Sequence, residues 1–362
     1  MLFGMLRVYF RLFSQMLLVA HLVSLPARIL GGMAQVRRII QESEMRKFEL
    51  KRITAALRQM SPTQRKVVAT ELAALDTQPA STVLVESRFT AAATCPHCKA
   101  CRAIRHGHAN GLQRYRCRDC HKTFSALTGT PLSRLHKRGK WLDQAAALQA
   151  GLTLHQVAEA LNIHVSTAHR WRHRFLALPE HIQARSLCGI AEADETVFLL
   201  SFKGKRSGLG RKARKRGGKA SKRGMSNEQV PVLVARDRAG ATMDCVLAAI
   251  DMRTLSAALK PVLAKDAVLC TDGSPALSAA ARDIGVEHHA INLSAGIHVD
   301  GAWHVQNVNA YHSRLKNWIR RFRGVATCYL PKYLGWFRAL DRESASGLKP
   351  AQWLAMALGG VA

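Results

Sequence analysis

Two short cysteine motifs constrain this chain more than any other feature. Cys95-Pro-His-Cys98 is followed, after eighteen intervening residues, by Cys117-Arg-Asp-Cys120. Four thiolates presented by two tight turns at this separation suit one tetrahedral Zn²⁺, with the chain between them forming a short hairpin. The segment 93–138 is therefore expected to be a zinc ribbon with Cys95, Cys98, Cys117 and Cys120 as ligands. Nine cysteines, an odd number with four in paired spacing, argue for a reduced, metal-using protein over a disulfide framework.

Charge narrows the partner. The chain carries 54 Lys and Arg against 24 Asp and Glu, a net +30 over 362 residues. Such an excess points to a polyanion, nucleic acid first, and excludes an ordinary neutral metabolic enzyme as the default. A hydrophobic content of 48% excludes a basic disordered tail, and only 6% aromatic residues argues against a single-strand binder built on stacking. The densest charge lies at residues 203–223, with eleven Lys and Arg, several glycines and no acid. Its Lys212, Arg214, Lys215 and Arg216 are expected to track DNA phosphates.

Residues 1–44 form an apolar, basic extension to which no chemistry is assigned. Its longest apolar run, 16–25, is too short to span a membrane, which needs about 20 residues. Residues 45–92 read as helical, with Ser61-Pro62 separating two helices and apolar periodicity continuing to residue 78. In 139–180, a helix from Trp141 stops at Gly151, Thr153-Leu-His-Gln156 is a capping box for a second, and Asn162-Ile-His164 is a turn. Ser166 is expected to cap the third. That third helix carries Arg170, Arg172 and Arg174, so the segment reads as a helix-turn-helix placing these arginines on DNA.

From residue 186 the pattern alternates strands and helices. Asp194 interrupts the first apolar strand, and Asp272-Gly ends the fourth. Two carboxylates brought together on adjacent strands are what metal-assisted phosphoryl transfer needs, and the element order suits an RNase H-like α/β domain over 186–345. A third ligand is expected from the segment His304 to Lys316, which holds no acid. Asn309, His312 and Lys316 share one helical face there. Hard Mg²⁺ takes oxygen donors, which favours Asn309 over His312. Residues 346–362 read as a C-terminal tail.

These residues carry a resemblance. The paired cysteines, Ala-Asp194-Glu-Thr, Thr-Asp272-Gly, His304-Val-Gln-Asn-Val-Asn309-Ala-Tyr-His-Ser-Arg-Leu-Lys316 and Gly324-Val-Ala-Thr-Cys-Tyr-Leu-Pro-Lys-Tyr-Leu-Gly-Trp336 resemble bacterial insertion-sequence transposases. The resemblance is to those joining an N-terminal zinc ribbon to an integrase-like DDE domain, in the subgroup with Asn as third residue. It implies a multidomain α/β protein that cuts and rejoins double-stranded DNA at element ends. It implies catalytic Mg²⁺ or Mn²⁺ held by Asp194, Asp272 and Asn309, with Lys316 contacting DNA and Zn²⁺ structural. A homo-oligomer on DNA, no membrane association and a cytoplasmic, nucleoid-associated location follow. The alternatives are a zinc-ribbon regulator with an inactive nuclease domain, and a metal-dependent nuclease that does not join.

Overall fold

The computed structural model describes residues 52, 55–89, 93–205, 207–208, 218–221, 226–292, 295–342 and 348–359. The extension 1–44 and the loop residues Lys212, Arg214, Lys215 and Arg216 lie outside the described residues. The chain divides into two units, the first holding Met1–Ser87 with Lys137–Trp141, the second Arg88–His136 with Leu142–Ala362.

In the first unit, α1 spans Pro62–Glu86. Ser61 caps it: its hydroxyl accepts the Gln64 amide at 3.2 Å, and the Gln64 side chain accepts the Ser61 amide at 2.9 Å. Pro62 costs nothing at the first helical position, where its missing N–H would have had no partner. The helix runs past residue 78, where the apolar periodicity ends.

In the second unit, β1 (Ala103–Ala109), β2 (Leu112–Cys117) and β3 (Thr123–Ser125) make a small antiparallel sheet. Three helices follow: α2 (Trp141–Gln149), α3 (Leu154–Ala160) and α4 (Val165–Phe175). The Thr153–Gln156 capping box is present. The third helix begins one residue before Ser166, because the His164 side chain accepts the Ser166 amide and so takes the cap.

The largest element is a five-stranded sheet in the order β6-β5-β4-β7-β8. Its strands are β4 (Ile190–Leu199), β5 (Gln229–Asp237), β6 (Thr242–Val246), β7 (Val268–Thr271) and β8 (Glu287–Ala290). The first three form an antiparallel meander, and β7 and β8 join β4 in parallel. This is the RNase H-like arrangement. On one face Ala191, Ala193, Leu233 and Ala235 share a core with Leu255 and Leu259 of α5 (Met252–Leu259) and Leu277, Ala280 and Ala281 of α6 (Pro275–Ile284). The other face receives α7 (Gln306–Arg320) through buried Val308, Tyr311 and Leu315.

Helix α8 (Leu330–Arg342) fastens this domain to the three-helix segment. Arg338 pairs with buried Asp244 of β6, which also accepts the Tyr311 hydroxyl at 3.1 Å. Asp341 binds Arg236 of β5 and Arg314 of α7 at 2.7 and 2.8 Å. Toward the other side, the Trp336 indole N–H donates to the Leu148 carbonyl at 2.9 Å. Residues 350–358 are not a tail: α9 (Pro350–Leu358) buries Trp353, Leu354, Met356, Ala357 and Leu358. Its apolar side chains outnumber its polar ones, and water-excluded packing is where they belong.

One glycine shows how close α8 comes. A Cβ on Gly335 would lie 2.6 Å from the Pro179 carbonyl oxygen and 2.7 Å from Glu180 Cα. Both are backbone atoms, so the helix itself would have to move. Gly335→Ala is expected to lower stability by roughly 1–3 kcal/mol, read as a fall in unfolding temperature by circular dichroism. An unchanged temperature would contradict the close approach.

Candidate active site and metal centre

The pairing of β4 with β7 sets Ile190 opposite Val268 and Glu192 opposite Cys270. Continuing that register by two residues sets Asp194 opposite Asp272, just beyond the last residue of β7. Side chains two apart point to one face, and neighbouring strands lie about 4.8 Å apart. Asp194 and Asp272 therefore converge on the side of the sheet that carries α7. Each carboxylate is steadied by a backbone N–H: Asp194 Oδ1 accepts from Glu195 at 2.8 Å, and Asp272 Oδ1 from Ser274 at 3.0 Å.

Helix α7 closes the site from above. His312 is buried, with Nδ1 3.6 Å from Asp194 Oδ2. Asn309 and Lys316, one turn either side, are exposed along the same edge of the helix. Burial first, and the neighbouring Asp272 second, push the Asp194 carboxyl up to about 6, with Lys316 opposing. Glu195 points to the opposite face of β4; burial, then Asp194, raises it to about 7. Burial, reinforced by Lys316, lowers His312 to about 4, so its imidazole is neutral at pH 7.

What holds α7 here was not anticipated from the sequence. Glu192 is fully buried and accepts the Val308 amide and the Asn307 side-chain amide, both at 2.9 Å. Arg238 lies 3.2 Å and His304 3.4 Å from the same carboxylate. The signal was present: an acid two residues before Asp194 in a largely apolar strand shares its face.

In the ribbon, the Cys95–Cys120 and Cys98–Cys117 sulfurs are each 3.6 Å apart, and all four lie within 4.8 Å of one another. Thiolates bound tetrahedrally at about 2.3 Å from zinc stand about 3.8 Å apart, so the four could hold that ion with little adjustment. The Asp119 amide points at Cys117 Sγ at 3.4 Å, as in a metal-binding turn. Cys95 and Cys117 are buried with Phe124.

The three arginines of α4 part ways. Arg170 and Arg174 are exposed. Arg172 is only 1% exposed, donates to the Leu152 carbonyl at 2.6 Å and the Tyr333 hydroxyl at 3.3 Å, and lies 5.0 Å from the Trp336 ring centroid. It does not face DNA. Its position on the inner stripe of α4, beside Ala168, Trp171 and Phe175, makes it a packing residue.

Residues 186–338 match the ISXO2-like transposase domain, and residues 136–178 match a homeodomain-like domain. An uncharacterized protein in the transposable element ISH50 of Halobacterium salinarum is 27% identical over 268 residues, covering 73% of this chain and 90% of its own length. A chain of a pre-cleavage Mos1 transpososome aligns at 14% identity over 63% of this chain and 80% of its own. Its TM-score is 0.19, too low to carry an argument. Among the described residues no helix is long and apolar enough to cross a membrane.

Two outcomes follow from this geometry. Arg172→Ala is expected to lower stability by about 2–4 kcal/mol through lost charged hydrogen bonds and ring contacts, while Arg170→Ala leaves it within about 0.5 kcal/mol; equal effects in thermal unfolding would contradict the burial. Asp194 binds its proton more tightly folded than unfolded, so its ionisation is destabilising. That penalty is absent below the unfolded value near 4 and complete above about 6. Without added divalent cation, Asp194→Asn should raise the unfolding temperature at pH 7.5, by the equivalent of roughly 1–3 kcal/mol. The gain should vanish toward pH 4, and a gain independent of pH would refute the electrostatic cause.

Proposed function

From the premise that this chain is an insertion-sequence transposase with its catalytic domain at residues 186–338, we propose that Asp194, Asp272 and Asn309 carry the cutting and joining of DNA. The observation that supports this is the parallel pairing of β4 with β7, whose register carried two residues on sets Asp194 opposite Asp272 just past the end of β7, closed over by the helix bearing Asn309. In this reading one strand is hydrolysed at an element end, freeing a 3′-hydroxyl. That hydroxyl then attacks a target phosphodiester in line, joining to the target's 5′-phosphate as the target's bridging 3′-oxygen leaves and takes up a proton as a free 3′-hydroxyl.

The donor set suits a hard divalent cation. Burial first and the neighbouring Asp272 second hold the Asp194 carboxyl up near 6, so positive charge at the pair is favourable, and the Asn309 carbonyl adds a neutral oxygen. Mg²⁺ or Mn²⁺ bound there would make water a better nucleophile and stabilise charge on the phosphate oxygens. Asp194, Asp272 and Asn309 would hold it. Buried His312, neutral and 3.6 Å from Asp194, orients that carboxylate. Lys316, exposed one turn beyond, reaches a phosphate next to the scissile bond.

The remaining assignments place DNA. Arg170 and Arg174 present charge from the helix-turn-helix, and Lys212, Arg214, Lys215 and Arg216 extend it along the backbone. Each phosphate contact of this kind adds to the salt dependence of binding without reading sequence. The ribbon holds Zn²⁺ through Cys95, Cys98, Cys117 and Cys120 and serves as a rigid clip. Pairing of two element ends calls for a homo-oligomer on the DNA, in the cytoplasm at the nucleoid.

Metal analysis should find about one zinc per chain, lost in Cys117→Ser/Cys120→Ser; unchanged stoichiometry would refute the ligand set. Strand cleavage and joining of labelled end DNA test the centre. Asn309→Ala should lose both by at least a hundredfold with end binding intact, and His312→Ala should lose less. The reverse order would put histidine in the triad. Cleavage by the unaltered protein without any joined product would make it a nuclease.

A further inference from the structure

We propose that Glu192 is a positioning residue of this centre: it grips the first turn of α7 and thereby sets where Asn309 stands relative to Asp194 and Asp272. This rests on the metal-holding role proposed for those three residues and adds the device that aligns them.

The first N–H groups of a helix have no partner within it and must be satisfied from outside. A local cap of Ser, Thr, Asp or Asn usually does this. Helix α7 lacks one, because the residue at its cap position is Val305. The acceptor comes instead from a strand more than a hundred residues earlier. Glu192 Oε2 takes the Val308 amide at 2.9 Å, and Oε1 takes the Asn307 side chain at 2.9 Å. A carboxylate also suits the positive end of the helix dipole.

A fully buried carboxylate is tolerated only when paired and hydrogen-bonded. Glu192 has the helix terminus, Arg238 at 3.2 Å and His304 at 3.4 Å. Arg238 also donates to the Ala302 carbonyl at 3.0 Å, so the same cluster fixes the segment leading into α7. Four groups from two chain segments, Arg238 and residues 304–308, therefore converge on one carboxylate.

The anchor adjoins the functional residues on both elements. Glu192 is two residues before Asp194 on the same face of β4, and Val308 immediately precedes Asn309. A slip of α7 along the sheet would move Asn309 while leaving Asp194 and Asp272 in place. Outer residues that orient a metal ligand in this way typically contribute 10–100-fold in metal affinity.

The test is Mn²⁺ binding to the intact, zinc-loaded chain without DNA, followed by electron paramagnetic resonance, beside hydrogen exchange at the Val308 amide. Glu192→Gln should weaken Mn²⁺ binding about tenfold or more and speed Val308 exchange, with zinc content unchanged. In an Asn309→Ala background the same substitution should change Mn²⁺ affinity little, since Glu192 acts through α7. Loss of a nearby negative charge alone would persist there, and that result overturns the proposal. Should Glu192→Gln not fold, Arg238→Met, at a partly exposed position, gives a weaker shift in the same direction. Unaltered affinity in the variant that folds also overturns it. Absence of Mn²⁺ binding in the unaltered protein is a different result, which overturns the metal centre itself.

Discussion

A single buried carboxylate, Glu192, is met by the first turn of α7, by Arg238 and by His304. Removing one partner from such a buried charged cluster typically costs about 3–5 kcal/mol, comparable with a large share of a domain's net stability. The placement of α7 is thus tied to β4 by a bond that tolerates little sliding. Everything on the site-facing side of that helix, exposed Asn309 and Lys316 and buried His312, inherits its position from it. The site is assembled from a strand, a strand end and a helix, and this contact is what joins the third element to the first two.

A second buried acid plays the corresponding part for the rest of the chain. Asp244 receives Tyr311 from α7 and Arg338 from α8, and its backbone exchanges hydrogen bonds with the Gln183 side chain at 2.8 and 3.1 Å. Through α8 the sheet is fastened to α2 and α4, where Trp336 and Tyr333 meet Leu148 and Arg172. Helices α2 and α4 and the five-stranded sheet are consequently joined by packed side chains of α8 and do not hang on a loose linker.

Local signals in the sequence were readable wherever one segment determines its own structure. The Ser61–Gln64 and Thr153–Gln156 capping boxes form as their spacing predicts. The cysteine spacing brings four sulfurs within 4.8 Å. Asp194 and Asp272 were legible because an acid inside or just after an apolar strand is conspicuous. What escaped depends on contacts between distant segments. Arg172 looks like its neighbours Arg170 and Arg174 until the helix is rolled against α8, whose aromatic residues cover it. Glu192 escaped because its partner, the terminus of a helix 116 residues later, is not local to it. The C-terminal helix α9 is short, and its burial follows from packing on α4, which no local pattern encodes.

The central claim is that Asp194, Asp272 and Asn309 surround one divalent-cation centre. Anomalous diffraction from crystals grown with Mn²⁺ tests it directly. The account predicts density between the two aspartates with Asn309 Oδ1 at about 2.2 Å, the oxygen–metal range for such ions. Manganese absent from that position, or bound through His312 with Asn309 turned away, would contradict it.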